Sequence, residues 1–411
     1  MEPQAQQSEL LNSFMESGIY RLDHSDVVFI DPVRLLNDSY SRFRLSPSAY
    51  YSRHFSSSSS PTPNKKRKRK RKPKHASLNE RELCAEKRHQ QLRPLLLNAH
   101  RKLLQASQLL NILPRIIVET GEPLHCRQLE LERLAEHNFV ELGSNWRAPF
   151  CEISLSNNPQ GLGSGLPEAR KLVPLFDNMI SVESDGDVEA EFQNSTYILP
   201  QRSFFLMSDL RHVRKLIPEN STEGFNFIVI DPPWENGSAR QKAMYPTLPN
   251  RHFMYLPVKE LAHSDGALVA LWMTNRQKLQ DFVEKDLLPA WGMSHVTPFY
   301  WLKVKPDGSL IGDLDLFHHR PYECLLLGYV NVDLNSECMK TIDSLKESRV
   351  IISVPGAYSR KPPLEKLLSE YIPGQRPSRC IELFGRELAA GWTSWGNEPL
   401  HFQDSRYFLE K

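Results

Sequence analysis

From about residue 201 to its end, the chain alternates short apolar runs with helical patterns. This alternation is typical of parallel strands joined by helices, and it constrains the fold more than any other feature of the sequence. Several runs are apolar at every position, as strands covered by helices on both faces should be. The runs lie at residues 225–230, 267–273, 297–303, 322–329, 350–354 and 380–384. We therefore expect an α/β domain with an open parallel sheet over residues 201–411.

One motif stands directly after the first of these runs. Asp231, Pro232, Pro233 and Trp234 follow the apolar run 225–230, and ligands of open α/β sheets bind beyond the carboxyl ends of the strands. The Asp231 carboxylate and the Pro232 carbonyl can accept the N–H groups of an exocyclic amine, whose lone pair must be aimed at its target. Two prolines stiffen the loop, and Trp234 offers a flat face to a base. The simpler alternative is a strand-terminating turn with Trp234 in the core.

Several ordered motifs resemble a known family. The motif at 231–234 stands with Ser208-Asp209-Leu210, a Ser-Arg-Lys-Pro segment at 359–362, Cys380-Ile-Glu-Leu-Phe-Gly-Arg386 and Gly396-Asn397-Glu398. This set is similar to the adenine-N6 methyltransferases typified by the catalytic subunit of the messenger-RNA methylation complex, over roughly residues 204–398. The resemblance implies a Rossmann-like class I methyltransferase domain at 201–411 that uses S-adenosylmethionine and no metal. It also implies that residues 231–234 are catalytic.

The same resemblance implies which residues bind the cofactor. Asp209 resembles the residue that accepts a hydrogen bond from the adenine amino group of S-adenosylmethionine, and Lys361 resembles the lysine that pairs with the methionyl carboxylate. Arg386 is placed to reach the ribose. The full set implied for the cofactor is Ser208, Asp209, Leu210, Asp231, Lys361, Phe384, Arg386, Asn397 and Glu398.

A second set is implied for the acceptor nucleotide. Three aromatic residues occupy family positions that line the acceptor pocket, where stacking on a splayed base is chemically reasonable; the simpler interpretation of each is ordinary core. His319 and Arg320 are expected to contact phosphate or ribose, and Glu323 to position the acceptor. The complete acceptor set is Tyr245, Trp272, Trp301, His319, Arg320 and Glu323.

The chain also departs from the family pattern. The polar residues that help to grip the ribose after the arginine are replaced here by Glu387-Leu388-Ala389. Glu398 stands where the family has glutamine, although a carboxylate still accepts ribose hydroxyls. No Gly-x-Gly signature follows Phe384.

The N-terminal half predicts a mixed α+β region in three parts. Residues 1–55 are expected to be partly ordered, because 18–30 has strand-like composition. Residues 56–76, a serine run followed by a basic block, lack apolar side chains and predict a disordered linker. A capping-box pattern at Ser77 and Glu80 opens a charged helix that we expect Pro94 to interrupt. Residues 77–200 are therefore expected to form an accessory region of mixed helices and loops.

The basic block dominates the charge distribution. Residues 65–74 hold nine of the 51 Lys and Arg side chains, in a chain whose net charge is only +2. The rest of the chain is therefore net acidic. We expect this tract to serve as a nuclear localisation signal and to contact nucleic-acid phosphates; the alternative is a merely solubilising linker.

Other patterns limit the class of protein. The six cysteines form no Cys-x-x-Cys pair, which favours free thiols in a reducing compartment and disfavours a zinc site. No apolar run approaches the ~20 residues that cross a bilayer, and we expect neither a membrane partner nor a secretory signal. The sequence indicates no particular protein partner and is compatible with a monomer.

The resemblance leaves the polymer open. RNA is the first expectation, including N6 methylation of 2′-O-methyladenosine in small nuclear RNA, and DNA is the alternative. A different class of function is a non-catalytic RNA-binding partner of a methyltransferase complex. In such relatives the Asp-Pro-Pro-Trp motif is typically degraded, whereas residues 231–234 and Lys361 are intact here. We therefore favour an active enzyme.

Overall fold

The computed structural model describes residues 3–22, 26–51, 79–117, 137–156, 170–235, 247–317, 319–332, 336–374 and 376–411. The expectations for the linker 56–76 and its basic tract 65–74 lie outside these residues. No helix in these ranges is both long and apolar enough to traverse a bilayer.

The strands, in chain order, are β1 (Ile19–Arg21), β2 (Val27–Ile30), β3 (Phe43–Leu45), β4 (Glu152–Ser156), β5 (Arg170–Pro174), β6 (Met179–Ser181), β7 (Val188–Phe192), β8 (Ser195–Leu199), β9 (Phe204–Met207), β10 (Phe227–Ile230), β11 (Ala267–Met273), β12 (Ser294–Lys303), β13 (Tyr322–Val330), β14 (Val350–Ser353), β15 (Cys380–Leu383), β16 (Trp392–Gly396) and β17 (Phe408–Glu410). The α-helices are α1 (Pro3–Ser17), α2 (Pro32–Asn37), α3 (Pro47–Tyr50), α4 (Glu80–Gln105), α5 (Ser107–Ile117), α6 (Phe139–Ser144), α7 (Val258–Leu261), α8 (Gln277–Phe282), α9 (Leu288–Trp291), α10 (Ser336–Ser344) and α11 (Glu365–Leu368). Shorter helical turns include the 3₁₀ helices Leu210–Leu216 and Asn250–Tyr255 and the π-helical turn Val283–Leu287.

A large mixed sheet forms the centre of the fold. Within the described residues it has eleven strands, in the order β1-β2-β14-β12-β13-β11-β10-β15-β16-β9-β6. β10 pairs in parallel with β11 and β15, β15 with β16, and β16 with β9. The carboxyl ends of these strands therefore lie along one edge of the sheet, which brings together the residues that follow them.

The α/β prediction is confirmed, and all six predicted runs are strands of this sheet. The expectation that the sheet is parallel throughout is wrong, because β13 runs antiparallel to both of its neighbours, β11 and β12. Residues 304–317 form turns and a bridge between Val304 and Leu310. With such a connection in place of a crossover helix, β13 returns alongside β12 in the opposite direction.

The N-terminal segment belongs to the same sheet and core as the C-terminal half. β2 pairs in parallel with β14 through Val27 and Val350, and β3 pairs with β17 near the C-terminus. Phe14, Phe29 and Tyr50 are buried in one hydrophobic cluster with residues of β12 and β14. Residues 3–51 are therefore packed onto the region predicted as the catalytic domain.

Helix α4 is longer than its sequence predicts. Its capping box is formed by Asn79 and Glu82, and the helix continues through Pro94 to Gln105. The expected interruption at Pro94 is wrong. Proline removes one helical hydrogen bond, but the turns after it are held by burial of side chains such as Leu96 and Leu103 against the core.

A second sheet, in the order β5-β4-β7-β8, covers the β9 end of the large sheet. Its buried side chains, such as Ile153 and Ala190, share a hydrophobic cluster with Phe205 of β9 and with Leu388 and Leu400. The core is thus continuous across residue 201, where the sequence suggested that the catalytic domain begins.

Candidate active site

The Asp-Pro-Pro-Trp motif begins where β10 ends. The Asp231 amide donates to the carbonyl of Leu383, at 3.3 Å, so the first residue of the motif is tied to the end of the neighbouring strand β15. The Trp234 amide donates to the Pro232 carbonyl at 2.7 Å, which closes a tight turn. A carbonyl has a second lone pair, so Pro232 can still accept another hydrogen bond.

Trp234 lies in the core beneath this turn. Its side chain is 5% exposed, and its indole N–H donates to the carbonyl of Trp272 at 2.9 Å. Its ring packs edge-on against Phe253, with centroids 4.9 Å apart. The expectation that Trp234 offers a flat face to a base is therefore wrong in this structure. The indole instead anchors the motif on β11 and on the 3₁₀ helix that contains Phe253.

A chain of alternating charges runs from the motif across the sheet edge. Lys361 Nζ lies 3.3 Å from Asp231 Oδ1 and 3.2 Å from Glu323 Oε2, and Lys303 Nζ contacts Glu323 Oε1. Burial lowers the pKa of Lys361, but the carboxylates of Asp231 and Glu323 outweigh it and raise the pKa above its ordinary value. Burial raises the pKa of Glu323, but the two lysines outweigh it and lower that pKa to about 2.

Two tryptophans lie close to this charged chain. Lys361 Nζ is 5.6 Å from the ring centroid of Trp272, and Lys303 Nζ is 4.3 Å from that of Trp301. The two indoles pack edge-on at 5.6 Å, and each is 1% exposed. Trp272 reaches the wall of a cavity beside Asp231, whereas the Trp301 N–H is bonded to Ser353 Oγ at 2.8 Å. Neither ring presents an open face for stacking.

The cavity lies between the motif, the loop that carries Lys361 and the loop after β15. Asp231, Lys361, Phe384 and Arg386 all line it, so four of the predicted cofactor residues share one space. Several other lining residues were not predicted to bind the cofactor. They include Leu35, Leu36, Asp38 and Ser39 from the N-terminal segment, and Arg360, Glu382 and Glu387.

Glu382 carries the most displaced carboxyl pKa in this cavity. Burial, and then the carboxylates of Glu387 and Asp231, raise the pKa of Glu382 to about 8, against the opposing charges of Arg386 and Lys361. It stands in the otherwise apolar strand β15, and a lone carboxylate in such a strand is the signal that could have identified it.

Phe384 and Arg386 follow β15 in an unusual backbone conformation. Phe384 has φ +63°, a left-handed conformation that side chains other than glycine rarely adopt and that is found at functional sites. Its ring packs edge-on against Phe253 at 5.7 Å and lies 5.0 Å from Trp395. The Arg386 guanidinium carbon lies 5.3 Å from the ring centroid of Phe402.

Most of the other predicted cofactor residues lie at the carboxyl ends of β9 and β16. The Ser208 amide donates to the Gly396 carbonyl at 3.0 Å, and the Trp395 indole N–H donates to Ser208 Oγ at 2.9 Å. Because these two strands are neighbours, Ser208, Asp209 and Leu210 lie close to Asn397 and Glu398.

Both acidic residues at this end already have partners. Asp209 accepts from the Arg211 side chain at 2.9 Å, and this hydrogen bond lowers the pKa of its carboxyl. Glu398 Oε2 lies 3.4 Å from His401 Nδ1; burial raises the pKa of Glu398, but His401 outweighs it and the pKa is lowered. Both residues are therefore held as carboxylates.

The remaining acceptor residues are not brought together as expected. The Arg320 side chain is 5% exposed, and its guanidinium donates to Glu86 of α4 at 2.7 Å and to the Leu316 carbonyl at 3.0 Å. Its expected phosphate contact is therefore wrong, because helix α4 covers it. His319 is exposed, with φ +62°. Tyr245 lies outside the described residues.

Across the described part of the chain, no group of three or more His, Cys, Asp or Glu side chains is placed to hold a metal ion. The geometry instead gathers carboxylates, lysines and two arginines around a cavity at the carboxyl edge of a sheet. Such a set suits a zwitterionic ligand.

Comparisons with known proteins give independent findings. A family model described as MT-A70 matches residues 225–398. The chain is 33% identical over 339 residues to the N(6)-adenine-specific methyltransferase METTL4 of Mus musculus, covering 81% of this chain and 70% of that protein. It is 32% identical over 288 residues to the N6-methyladenosine RNA methyltransferase MTA1 of Pyricularia oryzae, covering 67% of this chain and 73% of that protein. It is 29% identical over 233 residues to a DNA N6-methyl methyltransferase of Caenorhabditis elegans, covering 55% of this chain and 60% of that protein.

Proposed function

Because the chain belongs to the MT-A70 family of adenine-N6 methyltransferases, we propose that it methylates adenine at N6 in RNA with S-adenosylmethionine as the methyl donor. The family resemblance expected from the sequence, including the similarity to methyltransferase-like protein 4, is confirmed by the family match and by the identity with the mouse protein. Methylation of adenine N6 in nucleic acid is the function that the relatives support. The cofactor, the polymer and the residue roles are our proposal.

The observation that carries the proposal is the contact between Asp231 and Lys361. Their charged atoms lie 3.3 Å apart in a cavity that Arg386 also lines. Lys361, whose pKa is raised, stays protonated and can pair with the methionyl carboxylate of the cofactor. Asp231 can accept from its ammonium group. The residues present therefore fit the amino-acid end of S-adenosylmethionine.

S-adenosylmethionine supplies an electrophilic methyl group, and the protein aligns the adenine amine with it. Asp231 accepts one N–H of that amine, and the free lone pair of the Pro232 carbonyl accepts the other. Held in this way, the amine nitrogen points its own lone pair out of the base plane. Asp231 is also placed to receive the proton that the nitrogen loses after methylation.

Trp234 acts indirectly in this mechanism. Its N–H bond to Trp272 and its packing on Phe253 fix the direction of the Pro232 carbonyl. Base stacking is assigned to Tyr245, as the sequence predicts, because Trp272 and Trp301 are both buried. His319 keeps its expected role in contacting phosphate or ribose, and Glu323 positions Lys361.

The adenosine end of the cofactor is assigned to the neighbouring strand ends. Asp209 and Asn397 receive the adenine, and Glu398 accepts a ribose hydroxyl that Arg386 also reaches. Ser208 and Leu210 support this end through the backbone contact between β9 and β16. We infer that the parallel strands β9, β16, β15, β10 and β11 form the Rossmann-like core of a class I methyltransferase.

RNA is preferred to DNA because the fungal relative, named as an RNA methyltransferase, is aligned over 67% of this chain, whereas the nematode DNA enzyme is aligned over 55%. Within RNA, 2′-O-methyladenosine is the proposed acceptor nucleoside. The basic tract 65–74 is proposed to direct the protein to the nucleus and to contact phosphates. A non-catalytic role is disfavoured by the intact motif and Lys361.

The test is methyl transfer from labelled S-adenosylmethionine to matched RNA and DNA oligonucleotides, each with and without 2′-O-methyladenosine. We expect the label in RNA, most rapidly with 2′-O-methyladenosine. Faster transfer to DNA would replace RNA with DNA as the substrate. Transfer to none of the oligonucleotides, together with no binding of S-adenosylmethionine, would support the non-catalytic alternative.

A further inference from the structure

Two residues beside the proposed cofactor residues bind each other. Arg360 immediately precedes Lys361, and Glu387 immediately follows Arg386. The Arg360 Nε donates to Glu387 Oε2 at 2.9 Å, and its Nη2 contacts Glu387 Oε1. The side chains are only 3% and 14% exposed. A two-point contact between a guanidinium and a carboxylate fixes both distance and orientation.

The guanidinium is also held between two aromatic rings. Its central carbon lies 4.6 Å from the ring centroid of Tyr50 and 4.4 Å from that of Phe402. Burial lowers the pKa of Arg360, but Glu387 and the two tyrosines Tyr50 and Tyr40 outweigh burial, so the pKa is raised. Arg360 is therefore a buried permanent cation with one carboxylate partner and a rigid aromatic surrounding.

Tyr50 connects this arrangement to the N-terminal segment. It ends helix α3 and packs on Gly356, where an added Cβ would lie 2.9 Å from the Tyr50 ring. Only a glycine allows the ring to approach so closely. The loop that leads to Lys361 is thus packed against residues far away in sequence.

The contact between Arg360 and Glu387 restrains the neighbouring residues Lys361 and Arg386. They lie on separate loops, one after β14 and one after β15, and both line the proposed cofactor cavity. Adjacent Cα atoms are ~3.8 Å apart, so a rigid contact between Arg360 and Glu387 limits how far Lys361 and Arg386 can move relative to each other.

We propose that Arg360 and Glu387 are a positioning pair that holds Lys361 and Arg386 at the spacing the cofactor requires, with Tyr50 and Phe402 keeping the pair rigid. This inference rests on the proposed cofactor. It makes the N-terminal segment part of the cofactor site. A merely structural pair would contribute to stability alone, and removing one of its partners would then destabilise the fold without changing the affinity of the folded protein for the cofactor.

The test uses the full chain and S-adenosylhomocysteine, whose binding needs no turnover. Arg360→Met, Glu387→Gln and the double variant are compared by calorimetry, with thermal unfolding measured on each sample. The control is Arg349→Met, because Arg349 is half-buried, pairs with Asp26 and Glu370 and lies over the Tyr371 ring at 5.3 Å. It stands at the amino end of β14, opposite the cavity.

We expect each single variant to raise the dissociation constant for S-adenosylhomocysteine about tenfold or more. The double variant should have a dissociation constant no higher than that of the single variant with the weaker binding. Arg349→Met should lower the melting temperature and leave the dissociation constant unchanged. Folded Arg360→Met and Glu387→Gln variants that bind as tightly as wild type would overturn the inference, as would fully additive losses. A wild-type protein that does not bind S-adenosylhomocysteine would overturn both the inference and the proposed cofactor.

Discussion

Lys361 Nζ lies 3.3 Å from Asp231 Oδ1, although 130 positions of the chain separate the two residues. The contact joins the catalytic motif at the end of β10 to the loop after β14. Glu323 holds the same lysine from a third strand, β13, at 3.2 Å. Residues at three strand ends thus meet at one ammonium group, and the proposed binding of the cofactor depends on that group.

Loss of this ammonium group should strongly weaken cofactor binding. In Lys361→Met, Asp231 loses its ammonium partner, Glu323 keeps only Lys303, and the methionyl carboxylate has no lysine to pair with. Truncating one member of a buried charge pair costs about 2–5 kcal/mol, so we expect the dissociation constant for S-adenosylmethionine to rise at least about 30-fold in calorimetry. Lys346→Met, at an exposed surface ion pair, should bind as wild type does. Equal affinity in both variants would contradict the assignment.

Cofactor affinity should increase between pH 6.5 and 8. The pKa of Glu382 is raised to about 8, so the free protein holds a proton there at neutral pH. A cationic cofactor in the same cavity favours the ionised carboxylate, and its binding therefore releases a proton. Calorimetry in buffers of different ionisation enthalpy measures that proton. Glu382→Gln should remove both the proton release and the pH dependence, and an unchanged pH profile would refute this role.

The same shift predicts the pH dependence of stability. An acid whose pKa is raised on folding keeps its proton in the native state above its unfolded pKa, so stability falls as pH rises from about 4.5 towards 8. Glu382→Gln lacks this penalty. We expect the variant to gain stability over wild type at pH 8 and to gain little at pH 5, measured by urea unfolding. An equal difference in stability between Glu382→Gln and wild type at both pH values would argue against a raised pKa for Glu382.

Trp234 should behave as a core residue. Trp234→Ala removes a buried indole and is expected to destabilise the protein by about 3–5 kcal/mol. Trp234→Phe keeps an aromatic face but loses the N–H bond to Trp272, at a cost of about 1–3 kcal/mol. A role in base stacking predicts instead that the Trp234→Ala protein unfolds no more easily than wild type and that only its KM for the oligonucleotide rises. Chemical denaturation beside steady-state kinetics separates the two.

Helix α4 should control the loop that precedes β13. Glu86→Ala leaves the buried guanidinium of Arg320 without its carboxylate, at a cost of about 1.5–3 kcal/mol. We expect an increased oligonucleotide KM and an unchanged affinity for S-adenosylhomocysteine, because the loop lies on the acceptor side. Glu80→Ala, in the exposed first turn of the same helix, serves as the control. A change in cofactor affinity alone would contradict this division.

The strands and the catalytic motif could be predicted because their signals are local. An apolar run such as 225–230 identifies a buried strand, and Asp231 directly after it identifies the ligand edge. Motif resemblance supplied Lys361 and Arg386. All three residues line one cavity.

The rest depends on contacts between residues distant in sequence. Trp234 and Arg320 looked available for nucleic acid, but Phe253 buries one and Glu86 binds the other. No local pattern places Leu35 or Tyr50 near Lys361, because β2 reaches the site only by pairing with β14. Glu382 lies within the 380–386 motif, but the resemblance implies no role for it, and its raised pKa follows from burial among other carboxylates.

The most direct test of the central claim is nucleoside mass spectrometry of an RNA oligonucleotide incubated with S-adenosylmethionine and either wild-type protein or Asp231→Asn. Asparagine keeps the size of the side chain but removes the charge that pairs with Lys361 and receives the proton. We predict N6-methylated adenosine with wild type and a loss of at least about 100-fold with the variant, close to the lower range for a general base. N6-methylated adenosine formed equally by both proteins would contradict the proposed mechanism.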